Sequence, residues 1–446
     1  MTTNNANFIQ RFMMMASKIE ARELKSVLLS FAFVLILMSA YYILRPVRDA
    51  MASDWTDTEV SFLWNLNFFI SCAVVAIYGV AVSKIRFRVL VPSVYAFFGI
   101  SFVAFFFAIS SIDDRDLVDK SFYVWLSVFS LFHISVFWSF MGDLYTKEQA
   151  QRLFAFIAAG AAAGGIIGPA IAAIFAPLVG NDQLMLVSAV MLIIPIPIIL
   201  FLERLKIVEL HNEDVHADLS SARIGGNPFA GFKMFVSNPY LLAIGGFILL
   251  YTAVGSFVYF EQKNLLAEFD RPERAQILAV VDLVVNVLTF VIGLFVTGRL
   301  ATRFGMATTL AMVPFFIAAG LVVLAFAPVL MVALVLQVAR RVGNYAITRP
   351  GREMLFTAVD RETRFKAKPV IDIVVYRGGD AVSSIAFAGL TDGVGLGLGA
   401  MAAIGAGIAA AWGAVGAFLG RTFSNLEDPA GAGEPGGAGQ AAATKV

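Results

Sequence analysis

Charge is scarce in this chain: Asp, Glu, Lys and Arg make up 15% of its 446 residues, and 33 basic side chains stand against 32 acidic ones. A balance this sparse and this even excludes the basic field that nucleic acid requires, so no nucleic-acid partner is expected. Cysteine is nearly missing. The single thiol, Cys72, lies in an apolar run, offers neither a disulfide nor a metal site, and reads as a small packing residue. Three histidines, His133, His211 and His216, fall far apart or in polar sequence, which argues against a zinc site and against a Ser-His-Asp triad. A nucleotide-cradling P-loop and a hydrolase elbow are also missing. The expectation is a protein that is not an enzyme and holds no cofactor and no metal.

Hydrophobic residues are abundant instead, at 59% of the chain with a mean hydropathy of +0.80. Water cannot be the main solvent of such a surface. About 20 helical residues cross a hydrocarbon core of roughly 30 Å, and apolar runs of that length recur along the chain. Six fall in the first half: 24–44, 58–82, 89–112, 121–142, 153–179 and 184–202. Six more follow at 240–261, 275–298, 308–326, 329–347, 370–390 and 395–420, several interrupted by Pro, Gly or charge. The predicted fold is all-α and integral to the membrane, with about twelve transmembrane helices in two pseudo-symmetric six-helix bundles.

The expected organisation is a polar segment 1–23 without a signal-type cleavage site, a bundle 24–203, a soluble linker 204–238, a second bundle 239–420 and a disordered Gly/Ala/Pro tail 421–446. With both termini in the cytoplasm, the inner loops collect roughly 25 Lys and Arg against roughly 7 outside, as the positive-inside rule requires. The expected location is the inner or plasma membrane, with the lipid bilayer as partner and a monomer as the unit. Two spacings repeat between the halves. Gly79 and Lys84 match Gly298 and Arg303, while Glu148, Arg152 and Gly164-Gly165 align at constant offset with Glu362, Lys366 and Gly378-Gly379.

An ionised side chain at mid-membrane costs about 2.5–3.5 kcal/mol on insertion scales, so it normally faces a wet cavity or a partner. That argument nominates Asp282 and Asn286, one turn apart in the eighth helix, and Asp372, Arg377 and Asp380 in the eleventh. Arg377 can pair with Asp380 at a spacing of three, and simple structural pairing is the competing account. At the end of the first helix, Tyr41, Tyr42, Arg45, Arg48 and Asp49 cluster, with both arginines on one face. Two guanidinium forks suit a phosphate or a carboxylate; the alternative is snorkelling to lipid headgroups. Glu261 and Lys263 end the seventh helix in the equivalent place. Arg349 and Arg352 add cations after the tenth. His133 reads as packing in preference to a proton relay, and Gly160, Gly164, Gly165 and Gly168 supply a small-residue face on the fifth helix.

The segment Gly298-Arg299-Leu300-Ala301-Thr302-Arg303-Phe304-Gly305 resembles the loop signature of the major facilitator superfamily. Within that frame, four segments resemble the bacterial and plastid ATP/ADP translocase family of nucleotide exchangers. They are Tyr42-Ile43-Leu44-Arg45-Pro46-Val47-Arg48-Asp49; Trp138-Ser139-Phe140 with Lys147 to Phe154; Phe260-Glu261-Gln262-Lys263; and Asn344 to Met354, continued by Asp360-Arg361-Glu362 and Lys366 to Asp372. The resemblance implies a nucleotide antiporter whose substrate meets a cation at Arg48 and an acid at Glu261. At the position where that family is expected to carry Lys, this chain has Asp380.

Three functions follow as expectations. The first is exchange of a small anionic solute, ATP/ADP-type or a related phosphorylated metabolite, by alternating access. In it Arg45, Arg48, Arg349, Arg352 and Arg377 face phosphate, and Glu261, Asp282 and Asp380 tune the site. The second is proton-coupled carriage of another organic anion or drug-like solute. The third is a membrane scaffold that transports nothing.

Overall fold

The computed structural model describes residues 20, 22–84, 87–210, 230–295, 297–359, 367–368 and 370–427. Most of the N-terminal segment, the middle of the linker with His211 and His216, the Glu362–Lys366 partner of the internal repeat and most of the tail lie outside them. Among the described residues the chain is all-helical, and its long helices follow the twelve apolar runs. They are α1 (Leu24–Met51), α2 (Asp57–Lys84), α3 (Phe87–Ser111), α4 (Arg115–Leu144), α5 (Lys147–Val179) and α6 (Asn181–Val208). After a short helix, Ala230–Ser237, come α7 (Pro239–Leu266), α8 (Arg271–Phe295), α9 (Thr297–Phe326) and α10 (Leu330–Leu355). The turns Val370–Val375, Tyr376–Ala388 and Gly389–Gly393 run together as α11, and α12 is Leu398–Glu427. Ten of these are long and apolar enough to cross a membrane; α2 and the charge-bearing α11 complete the twelve.

Local chemistry sets where helices start and bend. Asp114 caps α4 by accepting from the Leu117 N–H, and Thr146 and Gln149 form a reciprocal capping box at the start of α5. Asn238 caps α7 ahead of Pro239. Pro195 interrupts α6. In α10, Pro350 lacks an N–H, and the ladder loosens into a π-turn over Asn344–Thr348 just before it. Gly305, at φ 77°, divides α9 within the predicted loop signature.

Several helices outrun their apolar stretches. α1 continues to Met51 and α7 to Leu266, so Arg45 lies inside its helix, while Arg48 and Lys263 sit in the last turns of theirs. Their charges are met by acids within the protein, described below, which removes the reason for the helix to stop.

Two hydrophobic clusters dominate the interior: one around Phe33, Phe129 and Phe137, which runs on into the second half through Phe257, Phe260 and Ala279, and one around Phe247, Leu310 and Trp412 within the second half. Within the first half α5 lies against α1 through its glycines. A Cβ at Gly164 would stand 2.3 Å from the Leu35 carbonyl oxygen, and one at Gly168 2.6 Å from that of Ser39. Close helix approach of this kind substitutes for the hydrophobic force that lipid cannot supply. α11 meets α7 in the same manner, with Gly379 facing Thr252. Between halves, α8 packs on α5 and α11 on α2, two contacts that exchange when the halves are swapped. Large apolar side chains such as Phe107, Leu178 and Phe326 point outward, where lipid accommodates them.

Candidate functional site

A cavity of about 1380 Å³ opens between the halves. Among the described residues, its walls come from α1, α2 and α4 on one side and α7, α8, α10 and α11 on the other, with none from α3, α5, α6, α9 or α12. Nine cationic and five acidic side chains among the described residues line it, a surplus of four positive charges. Water-exclusion by the surrounding helices makes each of those charges count for more than it would at a surface.

The positive charge is organised in tiers. In the first, Arg48 holds Asp49 through Nε at 2.9 Å and Nη2 at 2.6 Å, donates to Ser127 at 3.3 Å, and lies over the Tyr123 ring. Next to it Arg45 reaches across to the other half, 3.5 Å from Asp282 and 3.8 Å from Asp49. Asp282 also accepts from Arg341 at 2.5 Å. Arg340 finds a neutral partner, the amide oxygen of Gln337. Further along, Arg352 lies 2.9 Å from Glu353 and 3.3 Å from Asp372, and Lys368 bonds Glu353 at 2.5 Å. Arg377 stands 3.8 Å from Asp380. Arg349 lines the cavity with an exposed side chain.

Tyrosines alternate with these cations. Tyr41, Tyr42, Tyr123, Tyr251, Tyr259, Tyr345 and Tyr376 all face the cavity, giving stacking surfaces beside the guanidiniums. His133 stacks on Tyr41 at 4.5 Å, and its Nδ1 lies 3.2 Å from the Phe129 carbonyl.

Ten of the eleven candidate residues line this one cavity: Arg45, Arg48, Asp49, Lys263, Asp282, Asn286, Arg349, Arg352, Arg377 and Asp380. Snorkelling to lipid therefore does not describe Arg45 or Arg48. Glu261 is the exception. On α7 the residues 259, 262, 263 and 266 share the cavity face, and Glu261 points away from it, fully buried, with neither carboxylate oxygen hydrogen-bonded. Asp372 pairs with Arg352 of α10 and not with Arg377 of its own helix.

Arg340 and Arg341 were not among the candidates. Their signal was present, because two adjacent arginines in the middle of the tenth apolar run carry the same insertion cost that nominated Asp282. The acids that receive α8 at the far end were also missed, and single-sequence reading offered no signal for them.

That end is closed by bonds between the halves. Asp54 accepts from Arg271 at 2.5 Å and from Arg274 at 2.6 Å, and Arg271 also reaches Asp119 at 2.5 Å. Lys263 is bonded to Asp57 at 2.8 Å with both side chains buried, and Asp392 accepts from Thr58 twice at 2.7 Å. Ser61 and Ser384 join α2 to α11 at 3.1 Å. At the opposite end, among the described residues, no ion pair spans the halves. The closed end is the one predicted to face outward.

Comparison with known proteins agrees with a two-bundle carrier of this shape. The family model for the Major Facilitator Superfamily matches residues 27–351. The chain belongs to the Major Facilitator Superfamily. It is a multi-pass membrane transporter and not an enzyme. Among solved structures, the nucleoside transporter NupG is similar at TM-score 0.59 and 11% identity, covering 92% of this chain and 99% of that one. A bacterial homologue of the human lysosomal transporter Spinster, inward-facing and unoccupied, is similar at TM-score 0.54 and 16% identity, covering 92% and 97%. At such identities the likeness is one of fold. No curated protein matches the chain in sequence. In a facilitator-type carrier, a charged cavity between the halves, closed at one end, is a substrate path.

Proposed function

We propose that this protein is a secondary carrier for a small anionic, phosphate-bearing solute of the nucleotide type, working by alternating access. The observation that carries the reading is the surplus of four cations lining the cavity. Guanidinium forks match phosphate oxygens bidentately, and the interleaved tyrosines suit a base or another flat group. The volume exceeds the roughly 300–1,000 Å³ of ordinary small-ligand pockets, as expected of a passage open at one end. The motif resemblance to nucleotide exchangers at Arg45–Asp49 and Asn344–Met354 supports the same class.

In this reading the bundles 24–203 and 239–420 rock about the cavity, and the linker and both termini lie in the cytoplasm, in the inner or plasma membrane. With the Asp54, Asp57 and Asp119 contacts outward, the carrier faces inward. The experiment is uptake of labelled ADP into proteoliposomes holding unlabelled ATP, ADP or sugar phosphates. Trans-acceleration by an internal phosphorylated compound supports the proposal, and indifference to all of them removes it.

A second reading, coupling to protons, is favoured by Glu261. Its carboxyl is fully buried and unpartnered, and Asp57 is its charged neighbour. An unpaired charge in such a place is costly, and taking up a proton removes that cost. An imposed pH gradient that drives accumulation without an internal substrate selects this reading over exchange.

A further inference from the structure

One carboxylate oxygen in the cavity does the work of two bonds. Asp282 Oδ1 accepts from Arg341 Nη1 at 2.5 Å and lies 3.5 Å from Arg45 Nη1. Arg45 belongs to the first half of the molecule, whereas Asp282 and Arg341 belong to the second. Arg45 has one other acid near it, Asp49 at 3.8 Å, and Asp49 is already held more closely by Arg48. Asp282 is therefore the principal negative charge for two guanidiniums that face each other across the line of rocking.

Arg341 is not used up by this bond. Its Nε and Nη2 have no hydrogen-bond partner, although the residue is only 6% exposed and lines the cavity. Those two nitrogens form one edge of the guanidinium fork, the edge that fits two oxygens of a single tetrahedral or planar anion. The local sum also calls for more negative charge. Arg45, Arg48, Arg340 and Arg341 are met by Asp49 and Asp282, which leaves a surplus of two, the charge of a phosphate monoester near neutral pH.

We propose that Asp282 is a tethered counter-anion for the substrate's seat. A phosphate group takes the open edge of Arg341 together with Arg45, displaces the Asp282 carboxylate from Arg45, and gives that contact back when it leaves. The inference rests on the anion-carrier reading and adds to it the seat, the charge of the group that fills it and the residue that competes for it. Two guanidiniums from opposite halves are costly to bring together in a low-dielectric site without an anion between them. Asp282 thus lowers the cost of the unloaded state without matching the loaded one, and the substrate must outcompete a group already held at high effective concentration.

The test uses the purified full-length protein in detergent at low ionic strength, as wild type, Asp282→Asn, and Asp282→Asn combined with Arg341→Gln. Thermal midpoints are measured alone and against titrations of pyrophosphate and ADP. Asp282→Asn is expected to melt below wild type, the double variant to recover most of that loss, and pyrophosphate to half-saturate Asp282→Asn at a concentration at least about tenfold lower than wild type. A double variant no more stable than the single one overturns the proposal, as does equal pyrophosphate affinity in wild type and Asp282→Asn, a result that leaves the phosphate-carrier reading standing. Pyrophosphate and ADP bound by none of the three overturns the proposal and removes phosphate as the cargo, whatever the melting of the double variant. Should Asp282→Asn fail to fold, Arg341→Lys keeps the charge and deletes the fork edge. Pyrophosphate half-saturation then rises about tenfold if that edge is the seat, and an unchanged value overturns the proposal.

Discussion

The closure between α2 and α11 can be turned into a measurement of alternating access. Ser61 and Ser384 approach to 3.1 Å through their hydroxyls, from opposite halves. With Cys72 replaced by Ala, cysteines at positions 61 and 384 are placed to form a disulfide in the state described here, and oxidation should stop transport until reductant restores it. The bonds at Asp54 set how strongly that state is held. Arg274 is 7% exposed in its side chain, Asp54 30% and Arg271 27%, so the Asp54 cluster falls between an exposed pair worth about 0–1 kcal/mol and a buried one whose disruption costs about 3–5 kcal/mol. Asp54→Ala should therefore weaken the closed form by about 1.5–3 kcal/mol, a shift of about tenfold or more in the equilibrium. The assay follows cross-linked protein against time at fixed oxidant in liposomes, with and without Asp54→Ala. A cross-linking rate unchanged by Asp54→Ala, or oxidised protein that carries solute at the unoxidised rate, refutes the assignment of this end as a moving closure.

Other outcomes follow from the same geometry. Arg48→Ala should abolish uptake while membrane insertion, followed by detergent extraction and gel filtration, stays normal, because the residue faces the cavity and not the core. Gly164→Leu forces a Cβ to within 2.3 Å of the Leu35 carbonyl oxygen and should destabilise the first half by about 1–3 kcal/mol, read as a lowered thermal midpoint. Glu261→Gln should leave folding intact; loss of pH-driven accumulation with retained exchange would assign Glu261 to proton coupling, and retention of both would remove it. Asp380→Lys adds positive charge beside Arg377 and should tighten binding of labelled ATP, and an unchanged affinity counts against the charge argument at that position.

Much of the fold was legible because the solvent is severe. In hydrocarbon every backbone polar group must be bonded within its own helix, so apolar run lengths alone predict spans: α2 and α3 begin within two residues of their expected starts, whereas α4 and α5 begin six residues earlier, in polar sequence that carries their caps. The ends were less legible. A hydropathy window stops at the first arginine, whereas α1 runs on to Met51 because Asp49 and Asp282 receive its guanidiniums. Neither acid's role can be weighed without knowing what lies opposite.

The site divides along the same line. The cost of burying charge in lipid is a property of composition, and it was enough to nominate Asp282, Arg377 and Asp380; applied evenly, it would have found Arg340 and Arg341 as well. Which charge meets which was decided by tertiary structure. Pairing depends on helix phase and on the crossing of elements distant in sequence, as when Lys263 turns to Asp57 while Glu261, two residues away, is left buried and alone. Chain chemistry by itself determined that this is a membrane-spanning protein with charges needing shelter. Only the packing of the two halves decided that the shelter is a single passage, shut at one end by Asp54 of the turn after α1 and acids of α2 and α4 against basic residues of α7 and α8.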